Sequence, residues 1–263
     1  SCRDVNEEEI KRRVDGLNVW KRGDERAPHK PLLLLYALGR CARGEPRLGP
    51  YGDADEKLER LLEEFGPPRK RLHPEYPFWR LQNDDLWEVA GQNVEVVREK
   101  PRNPTRKELI SNRLKGGFPE EIHSVLESSP DLIGEIADQL LQENFPRTLH
   151  EDVLDAVGLD FRRVTPQART RDPAFRDRVL RAYRYQCGVC GFDLRLEDTL
   201  VAVEAAHVKW HQAGGPDVES NGIALCSLHH KLFDRGVFTV SGEEKTVQVS
   251  EAANGSAGPS EWI

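Results

Sequence analysis

The sequence predicts an α+β fold in two parts, a mainly helical front and a smaller back built as strand, loop, strand and helix. Three observations lead there. Apolar residues recur every three to four positions in several front stretches, which is helical spacing. Behind them, between residues 172 and 242, comes an alternating stretch, a glycine-rich loop, a second short strand and a helical stretch. Cys187, Cys190, Cys226 and His229 frame that back segment as CxxC and CxxH pairs. At 263 residues the chain suits two domains, each able to bury a core. The expected divisions are residues 1–160, a basic linker over 161–171, and 172–263.

In chain order, residues 5 to 22 read as a helix carrying Ile10, Val14, Leu17 and Trp20 on one face. Leu32 to Leu35, followed by Tyr36-Ala37-Leu38-Gly39, are nearly all apolar and predict the central helix of the first core. Pro31 fits its first turn and Gly39 a position near its end. His29 and Lys30 then fall at a helix N-terminus, where free N–H groups favour an anion; a cap beside a surface loop is the alternative. Glu56 to Phe65 reads as a second amphipathic helix, broken by Gly66-Pro67-Pro68. Tyr76-Pro77-Phe78-Trp79 reads as core aromatics or a pocket wall, and Leu86 to Val89 alternates like a strand. Arg102 and Arg106, with Arg113 to Gly117, offer polar groups suited to DNA backbone or base edges. Residues 120 to 157 read as two short acidic helices and a candidate dimer face. A helix from Asp172 or Pro173 to Tyr185 opens the back domain, and Leu200 to Val208 and Asn221 to Cys226 are its strands. His229 and His230 open its last helix, which ends near Phe233-Asp234-Arg235-Gly236.

Two residues between ligands let a tight turn aim both side chains at one metal, and two such pairs complete a tetrahedral site. The four framing residues therefore predict a closed structural zinc. A disulfide is the competing expectation. It is disfavoured because Cys2 and Cys41 lack an evident partner and no secretory signal or bilayer-length apolar run is seen, so a reducing setting is expected. With its zinc saturated, the chemistry falls to His207, Asn221 and His230.

The strings Ala205-Ala206-His207, Asn221-Gly222-Ile223-Ala224-Leu225-Cys226 and His229-His230-Lys231-Leu232-Phe233-Asp234-Arg235-Gly236 resemble the HNH endonuclease family over roughly residues 172 to 242, and imply its ββα-metal arrangement. Histidine titrates near neutral pH, so His207 is the natural general base. The Asn221 amide can hold an imidazole or nearby backbone in place, and His230 can bind a divalent ion, Mg2+ or Mn2+, as a Lewis acid. The resemblance implies the same three roles. Many members carry an acid directly before the first histidine; here that position is Ala206. Glu204 lies on the opposite strand face from His207 and is expected to reach a metal only if the strand bends. Asp234 shares a helix face with His230. Glu204 or Asp234 would complete the site, or His230 would act with water and phosphate; the choice stays open. His211 receives no role.

The front strings Ala27 to Arg40, Tyr76 to Val89, Gly116 to Ile122 and Glu143 to Leu159 resemble the sulfur-binding domain of modification-dependent, McrA-type HNH restriction endonucleases. That resemblance implies recognition of double-stranded DNA carrying phosphorothioate, with Tyr76, Pro77 and Phe78 around the sulfur and His29 and Lys30 near the phosphate. A shallow wall of proline and aromatic carbon suits a polarizable, weakly hydrated sulfur and penalises an oxygen left without hydrogen bonds. Lys30 stands where an arginine is expected, and Arg80 where a small residue is; Arg80 would narrow the pocket or touch phosphate.

A net charge of −7 is unusual for a DNA-binding protein. It is segregated, however. Residues 161–186 carry eight arginines against Asp172 and Asp177, a net of +6, and residues 118–160 carry a net of −10. Basic stretches neutralise phosphates. The expected protein is a bacterial cytoplasmic defence nuclease, a homodimer on symmetrically modified DNA, with no membrane contact. The alternatives are an HNH nuclease reading another modification, such as methylated cytosine, or a reader without catalysis. The chain has no methionine, so Ser1 is not read as the native start.

Overall fold

The computed structural model describes residues 5–19, 21–22, 25–67, 71–159, 173–210, 214–241, 246–256, 258 and 263. The expected linker over 161–171, Trp20 and His211 lie outside the described residues. Contacts divide the chain into two compact units, Ser1–Phe145 with His150–Gln167, and Pro146–Leu149 with Ala168–Ile263.

In the first unit α1 (Glu7–Asp15) starts at Asn6, whose side chain accepts from the Glu9 N–H at 2.9 Å. Three acids fill its first turn, where the helix dipole favours them, and it buries Ile10 and Val14. It is shorter than the expected 5–22. Gly16 closes it, and the Asn18 N–H is taken by the Asp84 carboxylate at 2.9 Å, which draws the chain out of the helix. A two-stranded turn follows, β1 (Lys21–Arg22) on β2 (Glu25–Arg26).

The central helix is α2 (His29–Ala42), with Leu32, Leu33, Leu34, Leu35 and Leu38 all at most 1% exposed. Each such side chain contributes roughly 1.5–3 kcal/mol on leaving water. Gly39 sits in the last turn of this helix, near its end as expected. A β-carbon there would lie 2.2 Å from the Val157 carbonyl oxygen, so the helix needs glycine to let that chain segment close on it.

Next come β3 (Gly49–Pro50), α3 (Tyr51–Phe65), α4 (Glu75–Arg80), β4 (Glu88–Ala90), α5 (Val94–Arg98), α6 (Arg106–Ser111) and β5 (Lys115–Gly117). The strands form an antiparallel sheet in the order β3-β5-β4. The acidic stretch holds three helices, not two: α7 (Glu120–Ser128), α8 (Pro130–Asn144) and α9 (His150–Val157). Ser129 and Pro130 break α7 from α8 in place of a longer loop, and α2 packs on α3, α4, α7, α8 and α9.

The second unit opens with α10 (Pro173–Ala182), then the short hairpin β6 (Arg195–Leu196) and β7 (Thr199–Leu200). An antiparallel pair follows, β8 (Val203–His207) and β9 (Gly222–Cys226), in unbroken register from Val203↔Cys226 to His207↔Gly222. Then come α11 (Ser227–Asp234), β10 (Phe238–Val240) and β11 (Val247–Val249). The β8–β9 pair is covered on both faces. Val203 and Ala224 pack with Phe175, Val179 and Leu180 of α10; Ala206, Ile223 and Leu225 pack with Phe233 of α11 and with Phe238. Strand alternation assigns each position of β8 to one helix or the other.

Candidate functional site

Cys187 and Cys190 sit on the turn that Gly191 closes by donating to the Cys187 carbonyl at 2.9 Å. Cys226 ends β9, and His229 lies in the first turn of α11. Their four donor atoms all lie within 4.8 Å of one another. Cys190 Sγ is 4.0 Å from Cys226 Sγ, and His229 Nδ1 is 3.7 Å from Cys187 Sγ and 3.1 Å from Cys226 Sγ. Zinc bonds of about 2.3 Å to sulfur and 2.0–2.1 Å to nitrogen, set tetrahedrally, separate such atoms by about 3.6–3.8 Å, so the donor set fits the ion. Burial alone would push the Cys187 thiol up, but the N–H groups of Cys190, Cys226 and Val189 outweigh it and hold it below its ordinary value. Cys190, without that number of donors, is pushed up to about 11, chiefly by burial.

His207 ends β8 with its ring stacked on Phe175, centroids 4.2 Å apart and planes 12° from parallel. Nε2 donates to Asp217 Oδ1 at 2.7 Å, and the side chain is 8% exposed. Gly222, paired with His207, makes room: a β-carbon there would meet Val179 at 2.2 Å and Phe175 at 3.3 Å. Asn221 is buried. Its amide oxygen accepts from the Lys209 N–H at 2.9 Å, and its nitrogen donates to the carbonyls of Lys209 and Pro216, both at 3.0 Å. It therefore ties together the two ends of the β8–β9 loop, the backbone-holding option among the two expected for it.

His230 lies on α11, and Glu204 comes to it without any bend in β8. The expectation that the strand must bend overlooked that α11 covers the Glu204 face. His230 Nδ1 and Glu204 Oε2 are 3.0 Å apart, and His230 Nε2 is 3.5 Å from Asp234 Oδ2. The two acids differ. Asp234 is 5% exposed and accepts from the Thr148 hydroxyl, whereas the Glu204 side chain is 51% exposed. The Glu204 carboxyl is held below its usual range by the His230 bond, against burial, with help from the charges of His230, Arg147 and Arg176. In the other tautomer, with its proton on Nε2 toward Asp234, the ring would offer its Nδ1 lone pair beside the Glu204 carboxylate, a donor set suited to a divalent cation.

In the first unit a cavity of about 450 Å³ gathers His29, Lys30, Tyr76, Pro77, Arg80 and Asp84, with Arg71 and His73 at its wall. The Tyr76-Pro77 pair lies on α4, not on an extended segment, and this sets what surrounds it. Tyr76 is held between the His73 ring, 4.7 Å away and 2° from parallel, and the Arg80 guanidinium, 4.8 Å from its centroid. Arg80, one helical turn on, thus lines the cavity as an aromatic partner. Phe78 does not line it. Two residues along a helix from Tyr76 it points to the core, 1% exposed, edge-on to Tyr51 at 4.8 Å and Trp87 at 5.7 Å.

Lys30 is not an isolated cation: its Nζ lies 2.5 Å from Asp84 Oδ2, both side chains largely buried. His29 donates from Nε2 to the Leu72 carbonyl at 2.9 Å. Arg102 and Arg106 lie outside the cavity lining. Arg102 makes a two-point pair with Glu108 at 2.8 and 2.9 Å, and Arg106 pairs with Asp55 at 2.5 Å and Glu59 at 3.1 Å. Sequence reasoning missed Asp84, His73 and Asp217. His73 and Asp217 sit in loops and Asp84 ends a single 3-10 turn, none with a periodic signal, and only the fold supplies their partners.

Comparison with known proteins assigns both units. The family model for ScoMcrA-like DNA sulfur-binding domains matches residues 7–162, and the HNH endonuclease model matches residues 187–241. No curated protein matches. Among solved structures, the sulfur-binding domain of ScoMcrA complexed with phosphorothioated DNA is 29% identical at a TM-score of 0.51, covering 59% of this chain and 97% of that one. The SprMcrA sulfur-binding domain complexed with phosphorothioated DNA is 28% identical at 0.50, covering 59% and 95%. The sulfur-binding and SRA domains of ScoMcrA, complexed with phosphorothioated DNA, align at 26% identity and 0.53, covering 74% and 67%. The chain belongs to the ScoMcrA-like DNA sulfur-binding domain family and carries an HNH endonuclease domain behind it, which makes it a DNA-cleaving enzyme.

Proposed function

We propose that this protein binds phosphorothioated double-stranded DNA through residues 1–160 and hydrolyses phosphodiester bonds nearby through residues 172–263. The observation that carries it is the single cavity that collects Tyr76, Pro77, His29, Lys30 and Arg80 in a chain that also brings His207, Asn221 and His230 into one hairpin-and-helix unit. Pro77 and the sandwiched Tyr76 give sulfur a rigid, weakly hydrated wall. The Lys30–Asp84 pair lies beside it, so the cavity accepts the phosphorothioate charge largely through Arg71 and Arg80.

In the nuclease unit His207 takes the proton of the attacking water. Its Nε2–H is directed to Asp217, so in the neutral ring Nδ1 carries the lone pair that does so. Asn221 fixes the loop that frames this histidine. His230 and Glu204 would hold the divalent ion, Mg2+ or Mn2+, which when bound supplies Lewis-acid charge at the scissile phosphate. Asp234 orients His230 and is not a ligand in this assignment. Cys187, Cys190, Cys226 and His229 hold a structural zinc. The substrate's two modified strands favour a homodimer in a bacterial cytoplasm; no helix among the described residues is long and apolar enough to cross a membrane.

The test is cleavage of two duplexes that differ only by one phosphorothioate per strand, with Mg2+ or Mn2+, using the protein, His207→Ala and Pro77→Ser. Cutting of the sulfur-bearing duplex alone, lost in His207→Ala, and loss of preference in Pro77→Ser are expected. Equal cutting of both duplexes would remove the sulfur assignment and keep the nuclease. Selective binding without cutting would make the protein a reader.

A further inference from the structure

The residue facing the general base from across its loop has no counterpart among the three positions that name the HNH motif. We infer that Asp217 is a positioning residue for His207, forming with it a carboxylate–imidazole dyad; the inference rests on the assignment of His207 as base. Four observations carry it. Asp217 Oδ1 accepts from Nε2 at 2.7 Å, a length in the charge-assisted range. Both side chains are sheltered, His207 at 8% exposure and Asp217 at 20%, so the bond is poorly screened by water. The opposite wall of the imidazole is the Phe175 ring, which blocks rotation out of the plane the carboxylate sets.

The backbone that carries this carboxylate is itself held. Arg178 of α10 donates to the Asp217 backbone carbonyl at 2.7 Å and pairs with Glu219 at 3.0 Å, while Asn221 grips Pro216, the residue before Asp217. The loop from β8 to β9 is thereby pinned at the point where its acid meets the histidine. The chemistry follows from the proton inventory. A carboxylate on Nε2–H fixes the tautomer with its lone pair on Nδ1 and stabilises the imidazolium formed when Nδ1 takes the proton from water. The imidazolium then gives its proton to solvent and the ring returns to neutrality, while the leaving oxygen takes a proton from water; Asp217 acts only by holding the ring.

The experiment is a double-mutant cycle on the full chain with phosphorothioated duplex and Mn2+: Asp217→Ala, Asp217→Asn, His207→Ala and Asp217→Ala/His207→Ala, with kcat, KM, duplex affinity and thermal unfolding for each. Asp217→Ala is expected to lower kcat about 10- to 100-fold, the usual cost of removing an orienting partner, with KM and duplex affinity within about twofold. Asp217→Asn, whose amide oxygen still accepts from Nε2, is expected to recover part of that loss. The double variant is expected to be no slower than His207→Ala alone, because the acid acts only through the base. Losses that multiply, or Asp217→Ala at the wild-type kcat, would overturn the dyad while leaving His207 as base. Wild-type cleavage by His207→Ala would overturn the base assignment and the dyad with it. Should Asp217→Ala unfold early, the near-isosteric Asp217→Asn decides, and wild-type kcat there sinks the proposal.

Discussion

Tyr76 keeps a 37% exposed ring at the cavity wall although both of its faces are occupied, by His73 on one side and Arg80 on the other. Such stacking fixes the ring's angle before DNA arrives, and a guanidinium over a ring at an exposed site contributes about 0.5–1 kcal/mol. Arg80→Ala should therefore weaken binding of phosphorothioated duplex by a few-fold; fluorescence anisotropy reads it, and an increase in affinity would show that Arg80 instead obstructs the pocket. At this scale the sequence was informative where chemistry is carried by residue type. Cys187, Cys190, Cys226 and His229 were legible as a metal clip, and their donor atoms do converge. Phe78 stayed open between core and pocket wall because its place depended on whether Tyr76-Pro77 lay on a helix, and two prolines within four residues obscured that helix. Arg102 and Arg106 were legible as polar groups suited to DNA, and only the fold shows the carboxylates that also face them.

Helix α6 illustrates how an element can be set by one side chain. Thr105 caps it and Glu108 answers from the third position, a capping box, while Arg102 and Lys100 also bind the Glu108 carboxylate. The pair of cations and the Thr105 N–H hold that carboxyl well below the usual carboxylate range, Arg102 first. A folded-state pKa below the unfolded one means stability that is present above the unfolded value and is lost as pH falls from there through the folded value. Glu108→Gln should cost about 0.5–1 kcal/mol near pH 7, the scale of a lost cap on a partly exposed group. Urea melts at pH 7 and at about pH 3 test it: the gap between wild type and variant should narrow in acid, and a gap independent of pH would refute the ionic account. Gly39 makes the opposite point. Glycine after an apolar run signals a helix end, and Gly39 does fall in the last turn of α2, but it also marks the place where the Val157 carbonyl touches the helix, so Gly39→Ala should lower the melting temperature despite alanine's better helix propensity. Contact between distant segments is not written in local periodicity.

At the scale of the whole chain, a net charge of −7 coexists with a DNA-cleaving enzyme because charge is sorted along the sequence. Duplex binding should fall steeply with salt even so, since phosphate contacts release counterions wherever cations cluster. The two-part division was legible from composition and motif. That Pro146–Leu149 groups with the second unit was not, because four residues between two helices carry no signal of their partner. Zinc removal should separate the units functionally. The four donor atoms converge beside the Leu225–Phe233–Phe238 core, so a zinc held there would contribute to that unit's folding energy. Protein stripped by a strong chelator and then returned to Mg2+ alone should have lost cleavage and one thermal transition while keeping selective retention of phosphorothioated duplex; loss of both together would mean the front unit needs the back one.

The uninterrupted pairing of β8 with β9 also limits how this enzyme can change over generations. Positions 204 and 207 differ by an odd number, so Glu204 is delivered to α11 and His207 to α10. Deleting or inserting a single residue between them would reverse parity for one of the two and send it to the wrong helix, removing an entire role at a stroke. The three-residue step from Glu204 to His207 within the strand therefore has to be inherited whole.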